Sequence, residues 1–367
     1  MSKYKICVYA ITKNEEKFVD RWMDAVGEAD MVVVLDTGST DRTAQKLRDR
    51  GAQVYVEEIK PWRFDVARNK AMDHIPEDCD ICVSNDLDEV FVKGWRQKLE
   101  VAWKPCYTRA QYLFSYTYHE DGTPDKQFFM EKIHRRSGFR WVHPVHEILE
   151  YKGKDPDRTV FVPGLVLNHY PDVSKSRSQY LPLLELSVQE NPNDDRAVFW
   201  LGREYMYNER NDDCIRTLQR HLKMPTATWD EERSASMRFI AESYRRKKDF
   251  TQAKAWLFRA IAECPHVREP YLQMARLGYS QNDWPLVYLM TEKALKITQK
   301  TGSYLLEPPA WSFLLDDYAA IACYWLGLYR QALEHAQKAY DMQPDDQRLK
   351  NNLEIIRRKA EEHHEPV

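Results

Sequence analysis

The spacing of apolar residues divides this 367-residue chain into two parts with different periodicities. In the first ~170 residues, short apolar runs alternate with stretches of helical spacing, which is typical of parallel strands covered by helices. The predicted strands are Lys5 to Ile11, Met31 to Leu35, Gln53 to Glu57 and Asp80 to Ser84, and the predicted helices between them are Glu15 to Val26, Asp41 to Arg50 and Phe64 to His74. This part is therefore predicted to be an α/β domain with a mostly parallel sheet.

The end of this first part has a strand-like pattern of its own. Apolar residues at alternate positions from Ala110 to Tyr118 indicate a strand with one buried face. Two further strands are predicted at Gln127 to His134 and at Phe139 to Tyr151. We expect these strands to extend the parallel sheet with antiparallel pairs and to carry the acceptor side of a site.

The remainder of the chain repeats a helical pattern. Ala253 and Val287 stand 34 positions apart at equivalent points of two copies. Small and aromatic residues recur around them at the spacing of tetratricopeptide repeats, which are pairs of packed helices. The pattern predicts four helix pairs and a final helix from 345 to 361. Small residues let paired helices approach closely, so the pattern indicates core packing first and binding on a concave face second.

These patterns predict three consecutive segments. Residues 1–172 form the α/β domain, 173–192 form a linker helix, and 193–367 form the repeat domain with a C-terminal capping helix. The predicted fold class is a Rossmann-like α/β domain with a mixed sheet, followed by an all-α superhelix of repeats.

Composition places the chain among ordinary globular proteins. The 54 basic and 57 acidic residues give a formal net charge of −3, which provides no global attraction to nucleic acid. No apolar run reaches the ~18 residues that a membrane-spanning helix needs, and the first residues lack the pattern of a signal peptide. Seven scattered cysteines favour reduced thiols over a disulfide framework. We therefore expect a cytoplasmic protein without a transmembrane segment.

The candidate chemistry lies where the predicted strands end. Asp86 and Asp88 follow an apolar run directly, and Thr12, Asp36 and Thr37 come after the first two strands. Ligands of open α/β sheets bind beyond the carboxyl ends of the strands, so these side chains should converge on one crevice. Carboxylate oxygens suit Mg²⁺ or Mn²⁺, and such an ion can bridge a diphosphate. The sequence therefore predicts a metal-assisted phosphate site.

Four segments of the first part carry a family resemblance: YAITKNEEKFV, VVVLDTGSTDRT, FDVARNKAM and VSNDLDEV. In order and spacing they resemble the blocks of family 2 glycosyltransferases with the GT-A fold. Together with tetratricopeptide repeats, the chain is similar to bacterial and prophage glycosyltransferases of the SunS-like type. The resemblance implies transfer of a sugar, with inversion, from a nucleotide-diphosphate donor in the presence of Mn²⁺ or Mg²⁺. A UDP-sugar is the leading donor, and a glycan, a peptide or a lipid-linked sugar remains open as the acceptor.

The resemblance also implies roles for residues on the donor side. Matching positions hold the nucleoside or lie near the base and diphosphate, and these are Ile11, Thr12, Asp36, Thr37, Arg68 and Asn69. Asp86 matches the first position of the DxD motif, which reaches the ribose or a metal-bound water, and it is a candidate metal ligand together with Asp88 and His169. Asp88 matches the second position, which ligates the ion. His169 matches a histidine that completes the metal shell in similar enzymes.

An inverting transfer also needs a base that accepts the proton of the acceptor. Glu147 is the predicted base, because it belongs to a VHE block that looks like one in repeat-bearing transferases. His146 is the rival candidate. The structural alternative is that Glu147 only pairs with an arginine such as Arg140. The ED pair that commonly marks the base in this family is missing here.

Two other functions remain open from the sequence. A nucleotidyltransferase also combines a parallel sheet with paired carboxylates, but no glycine-rich phosphate loop follows the first predicted strand. A non-enzymatic scaffold would use the repeats to bind a partner and keep an inactive nucleotide-binding domain. The repeats themselves could position the acceptor, bind a protein partner or bind a second copy of the chain as a homo-oligomer.

Overall fold

The computed structural model describes residues 3–172 and 178–363 of the chain. The chain divides into two compact units, Met1–Glu190 and Asn191–Val367, which are described separately below. The predicted linker helix at 173–192 falls partly on residues 173–177, which lie outside the described residues. Within the described residues, that region contains the helix α5, Tyr180–Glu190.

A mixed eight-stranded sheet forms the centre of the first unit. Its strand order is β3-β2-β1-β4-β7-β6-β10-β5, and β8 and β9 form a separate hairpin. The strands are β1 Ile6–Thr12, β2 Met31–Asp36, β3 Gln53–Val56, β4 Ile81–Ser84, β5 Glu89–Phe91, β6 Arg109–Tyr118, β7 Pro124–Arg135, β8 Phe139–Val142, β9 Ile148–Tyr151 and β10 Thr159–His169. The first four strands pair in parallel, as predicted.

Helices cover both faces of this sheet. The helices of this unit are a 3-10 helix Glu16–Phe18, α1 Val19–Val26, α2 Thr43–Asp49, α3 Phe64–Asp73 and α4 Trp95–Ala102, in addition to α5. Successive residues of β1 therefore enter different apolar clusters: Ile6 and Val8 pack on one face, and Cys7 and Tyr9 pack on the other. This double burial explains why β1 is a continuous apolar run in the sequence.

The second half of the first unit departs from the sequence prediction in two ways. The single strand predicted from Phe139 to Tyr151 is wrong, because β8 and β9 are separate strands that pair antiparallel. Between them the backbone turns at His143 and His146, which have φ of 77° and 52°, and no strand continues through such angles. The strand β10 was also missed, although it pairs in parallel with β6 and antiparallel with β5.

The second unit consists of consecutive helices. They are α6 Asp195–Tyr207, α7 Asn211–His221, α8 Asp230–Arg246, α9 Phe250–Glu263, α10 Glu269–Ser280, α11 Trp284–Leu295, α12 Leu314–Trp325, α13 Tyr329–Met342 and α14 Gln347–Glu362, with a 3-10 helix Pro308–Trp311. Each helix packs on the next from α6 to α7, α8 to α9, α10 to α11 and α12 to α13. The predicted four helix pairs and final helix are thus present. Gly202 shows how closely a pair packs, because a Cβ there would overlap the Leu218 side chain.

The long connection between α11 and α12 does not simply bridge two helices. Residues 296–313, here called the crossing segment, run over α8 and α10, which are themselves in contact. The Tyr304 hydroxyl donates to Glu232 on α8 at 2.9 Å, and Trp311 Nε1 donates to Glu269 on α10 at 3.2 Å. The crossing segment therefore covers part of the surface that these alternate helices share. In the described part of the chain, no helix is both long and apolar enough to cross a membrane.

Candidate functional site

The ends of three neighbouring parallel strands bring the predicted donor-side residues together. Thr12 ends β1 opposite Asp36 at the end of β2, and Ser84 ends β4 on the other side of β1. The amide and the hydroxyl of Thr37 both donate to the Thr12 carbonyl, at 2.9 and 3.0 Å. Ile11 precedes Thr12 on β1 and is only partly buried. Thr12, Asp36 and Thr37 therefore lie together at one edge of the sheet, and a crevice that they share with Asp86 stays a prediction.

Asp36 has one oxygen in use and one without a hydrogen bond. Its Oδ1 accepts the backbone N–H groups of Gly38 and Ser39 at 2.8 and 2.7 Å. Its Oδ2 is buried and has no hydrogen-bond partner. A buried carboxylate oxygen without a hydrogen bond lowers the stability of the fold unless a ligand supplies a hydrogen-bond donor. Asp36 therefore offers a fixed, unused acceptor at the end of β2.

Arg68 on α3 links two of the predicted site residues. Its Nη1 and Nη2 donate to the two oxygens of Asp86 at 2.7 and 2.8 Å, and its Nε donates to Glu147 Oε1 at 2.5 Å. The guanidinium is only 5% exposed and lies over the Trp141 ring, with 5.1 Å to the ring centroid. The sequence left open that Glu147 only pairs with an arginine such as Arg140. Glu147 does pair with an arginine, but that arginine is Arg68. Arg140 pairs with Asp73 instead.

Two charged residues that sequence reasoning missed, the buried Glu89 and the partly buried Lys132, complete this network. Lys132 on β7 donates to Glu89 Oε1 at 2.9 Å and lies 3.4 Å from Asp86 Oδ2. Glu89 Oε2 in turn accepts the backbone N–H of Asp86 at 2.9 Å. Glu89 could have been suspected as the acid next to the DxD motif. Lys132 carries no local signal, because only the pairing of β7 with β4 brings it to the site.

This network shifts the pKa values of Asp86 and Glu89 in opposite directions. Burial by itself disfavours an ionised Asp86, but the attraction of Arg68 and Lys132 prevails and holds the pKa of Asp86 far below its usual range. Burial raises the pKa of Glu89, with the nearby charges of Asp86 and Asp88 adding to the rise against the attraction of Lys132. Asp86 is therefore an ionised group that two cations hold in place.

Asp88 and His169 form a second pair beside this network. His169 Nε2 lies 3.5 Å from Asp88 Oδ2, and the ring stacks on Tyr116 with centroids 5.1 Å apart. Burial opposes a charged imidazole, but the hydrogen bond and the charge of Asp88 raise the pKa of His169 above its ordinary value. The antiparallel pairing of β5 with β10 places the two residues together.

The donor atoms of this region fit a metal ion only in part. Asp88 and His169 offer a carboxylate oxygen and an imidazole nitrogen, which suit an ion that also takes diphosphate oxygens. Both oxygens of Asp86 are occupied by cationic donors. In residues 3–172, Asp86, Asp88 and His169 do not bring three ligand atoms within 4.8 Å of one another. Direct ligation by Asp86 stays a prediction.

The remaining predicted residues lie on or against the β8–β9 hairpin. The Asn69 amide bonds both backbone groups of Trp141, donating to the carbonyl at 2.8 Å and accepting the N–H at 2.9 Å. This pairing fixes the hairpin that carries Glu147 against α3. A contact of Asn69 with the donor stays a prediction. His146 packs edge-on against Tyr180, with ring centroids 5.6 Å apart.

A buried chain of hydrogen bonds links the β8–β9 hairpin to the sheet. Trp141 Nε1 donates to the Tyr9 hydroxyl at 2.8 Å, and this hydroxyl lies 3.0 Å from His134 Nε2. The other His134 nitrogen lies 2.7 Å from the Arg135 carbonyl and must donate to it. Burial lowers the pKa of His134 to about 4, which fits a neutral ring that accepts from Tyr9. These hydrogen bonds connect β1 and β7 to the hairpin.

Comparison with known proteins gives a partial relationship. No protein-family model matches the chain. A protein of Rickettsia bellii (strain RML369-C) named "Uncharacterized glycosyltransferase" is 34% identical over 97 residues. The match covers 26% of this chain and 32% of that protein, so the chain spans about a third of the length of this relative.

Solved structures resemble the chain only distantly. The match to the crystal structure of MamA protein covers 51% of this chain and 86% of the MamA chain, at 15% identity and a TM-score of 0.35. The match to a thermophilic TPR protein in Thermus thermophilus covers 48% of this chain and 88% of that protein's chain, at 19% identity and a TM-score of 0.34. Likenesses of this size carry no argument about function. The chain is therefore a mixed-sheet unit joined to a helical-repeat unit, and part of it is similar to a protein named as a glycosyltransferase.

Proposed function

We propose that the chain is a metal-dependent inverting glycosyltransferase of the family 2, GT-A type. It would move a sugar from a nucleotide-diphosphate donor to an acceptor hydroxyl or thiol. The observation that carries this proposal is the link that Arg68 makes between Asp86 and Glu147, beside the pair of Asp88 and His169. Similarity to a relative named as a glycosyltransferase supports the same reaction class.

The donor nucleotide would bind at the ends of β1 and β2. The unused Oδ2 of Asp36 supports this assignment, because a ring N–H of a base such as uracil would satisfy it. Thr12 and Thr37, which are bonded to each other, would form the adjoining wall together with Ile11. Arg68 and Asp86, locked to each other, would present a rigid surface towards the ribose.

The diphosphate would lie near Asp88 and His169. These two residues would hold Mn²⁺ or Mg²⁺, and the bound ion would stabilise negative charge on the departing diphosphate. Asp86 would orient the donor or a water of the ion, while Arg68 and Lys132 keep its carboxylate fixed. The antiparallel pairing of β5 with β10 would keep Asp88 and His169 in place.

Glu147 would accept the proton of the acceptor. Its carboxylate is held by the Arg68 guanidinium, so it starts in the fixed orientation that a base needs. His146 is the second candidate, but its ring packs against Tyr180. The helical repeats would position the acceptor or bind a protein partner or a second copy of the chain.

The test is a panel of nucleotide sugars scored for donor hydrolysis with Mn²⁺, using the full chain. The wild type should release a nucleoside diphosphate from one donor, and Asp88→Asn should lose this activity while it keeps its fold. Glu58→Gln is the matched control, since this exposed carboxylate lies outside the site.

Thermal melts with Mn²⁺ and each donor separate the proposal from a scaffold function. An enzyme should be stabilised by a donor that binds the folded state. If the wild-type chain neither turns over nor is stabilised by any donor, the proposed function is wrong.

A further inference from the structure

Three consecutive helices of the second unit bring potential metal ligands together. Asp195 begins α6, His221 ends α7, and Glu232 lies in the first turn of α8. One ligand atom from each residue lies within 4.8 Å of the other two. Asp195 is partly exposed, whereas His221 and Glu232 are buried. The cluster therefore opens to solvent only on its Asp195 side.

The imidazole of His221 has one nitrogen engaged and one that faces the carboxylates. Its Nδ1 lies 3.0 Å from the Ser236 hydroxyl, which fixes the ring orientation. Its Nε2 is completely buried, forms no hydrogen bond and lies 3.3 Å from Glu232 Oε1. Two ligand atoms at ~2.0–2.1 Å from a tetrahedral Zn²⁺ are about 3.3 Å apart. The separation of these two atoms thus matches one edge of a zinc tetrahedron.

The two carboxylates of the cluster lie close together, and the nearby Arg196 lies over the Tyr304 ring, 6.0 Å from its centroid. In residues 178–363, neither Asp195 nor Glu232 is paired with a lysine or an arginine. Glu232 Oε2 accepts the hydroxyl of Tyr304 at 2.9 Å, which orients the carboxylate but adds no positive charge. Carboxylates held this close repel each other when both are ionised, and a dication removes that repulsion.

We propose that Asp195, His221 and Glu232 bind a structural divalent ion of the zinc class. An imidazole nitrogen and two carboxylate oxygens form a ligand set that suits Zn²⁺, and water can take the fourth position from the open side. Ser236 and Tyr304 act as outer partners that orient two of the three ligands. The ion would tie α6, α7 and α8 together at the start of the helical repeats. This proposal does not depend on the transferase function.

A second cluster in the same unit provides a matched control. Asp230, Cys264 and His266 also bring three ligand atoms within 4.8 Å of one another. The His266 side chain is 55% exposed, and both of its ring nitrogens lie within 3.8 Å of Cys264 Sγ. As far as the structure describes the chain, no buried nitrogen or oxygen of this cluster lacks a partner, so we expect it to bind zinc weakly.

The experiment measures zinc binding by the full chain after dialysis against EDTA and then against metal-free buffer. Titration calorimetry with Zn²⁺ should show a single tight site, and the bound zinc should raise the melting temperature. His221→Gln should weaken binding at least ~100-fold, because it removes a direct ligand. His266→Gln and Asp88→Asn should leave the tight site unchanged.

Two further variants keep the test decisive if His221→Gln does not fold. Asp195→Asn changes a partly exposed ligand, and it should weaken zinc binding while circular dichroism shows intact helices. Ser236→Ala should weaken binding by about 10-fold through the imidazole orientation. The proposal is overturned if the wild type binds no zinc tightly, which would leave only a contact between His221 and Glu232. It is also overturned if His266→Gln, rather than Asp195→Asn or His221→Gln, removes the site.

Discussion

Arg68 and Asp86 form a two-point ion pair, in which Nη1 and Nη2 of the guanidinium each donate to a different carboxylate oxygen, at 2.7 and 2.8 Å. The arginine uses its remaining Nε–H on Glu147. One side chain of α3 thereby sets the distance between the end of β4 and the β8–β9 hairpin. The geometry of the proposed donor and base sides depends on this arginine, together with Asn69 and Trp141, which fix the hairpin.

Arg68→Ala should destabilise the protein strongly. The substitution leaves the partly buried Glu147 carboxylate without its arginine and leaves Asp86 with Lys132 alone, which should cost up to about 3–5 kcal/mol, the range for breaking a buried ion pair. Urea unfolding at neutral pH measures the loss. Arg140→Ala is the control, because its exposed pair with Asp73 should contribute only about 0–1 kcal/mol. Equal losses in the two variants would contradict the central role of Arg68.

Asp36→Asn should weaken nucleotide binding without unfolding the chain. Asparagine keeps the oxygen that accepts from Gly38 and Ser39, but it replaces the unused acceptor with an N–H donor. The affinity for the donor nucleotide should fall about 10- to 100-fold, equivalent to roughly 1–3 kcal/mol. Calorimetry with the nucleoside diphosphate tests this, and the exposed Asp49→Asn should bind like the wild type. Unchanged affinity of Asp36→Asn would remove Asp36 from the donor site.

Asn69→Ala should reduce turnover more than donor binding. The variant loses both hydrogen bonds to the Trp141 backbone, so the hairpin that carries Glu147 is no longer fixed against α3. We expect about 1–3 kcal/mol of destabilisation from the unsatisfied backbone groups, and a lower kcat with little change in the donor KM. A rise in the donor KM at constant kcat would instead indicate the direct donor contact that the family resemblance implies.

His134 should make folding sensitive to mild acid. Its folded pKa is about 4, whereas an unfolded histidine titrates near 6.5, so the unfolded chain binds more protons between these values. The free energy of unfolding should therefore fall as the pH falls, by roughly 3 kcal/mol from this residue between pH 7 and pH 4. Urea unfolding across this range should show a shallower pH dependence for His134→Gln. Parallel curves for the two proteins would contradict this assignment.

Gly202→Ala should destabilise the first helix pair of the repeats. The added methyl group overlaps Leu218 on the facing helix, and overpacking of this kind typically costs about 1–3 kcal/mol. The double variant Gly202→Ala with Leu218→Ala should recover part of that loss, because the smaller side chain makes room. Additive losses in the thermodynamic cycle would show that the two residues do not interact.

The sequence predicted the position of a candidate site residue where that residue directly follows a strand. Asp36 and Asp88 could be assigned to one edge of the sheet because parallel strands share their carboxyl ends. Lys132 could not be found this way, since it reaches Asp86 only through the antiparallel pairing of β7 with β4. The partner of Glu147 was likewise missed, because the reversal at His143 and His146 turns the hairpin towards α3.

The repeats followed a similar rule. Helix pairing could be predicted from residues such as Ala253 and Val287, which stand at equivalent points of two copies 34 positions apart. The path of the crossing segment could not, because its contacts with Glu232 and Glu269 span about 40 to 70 positions and leave no period in the sequence.

The crossing segment has a consequence for any outside ligand of the repeats. Its tether to α11 and α12 keeps it beside α8 and α10 at an effective concentration that is typically millimolar for short linkers. A soluble peptide directed at the same helices therefore competes with an intramolecular rival, which lowers the apparent affinity of the peptide. Partners that recognise the opposite side of the repeats, or the crossing segment itself, face no such competition.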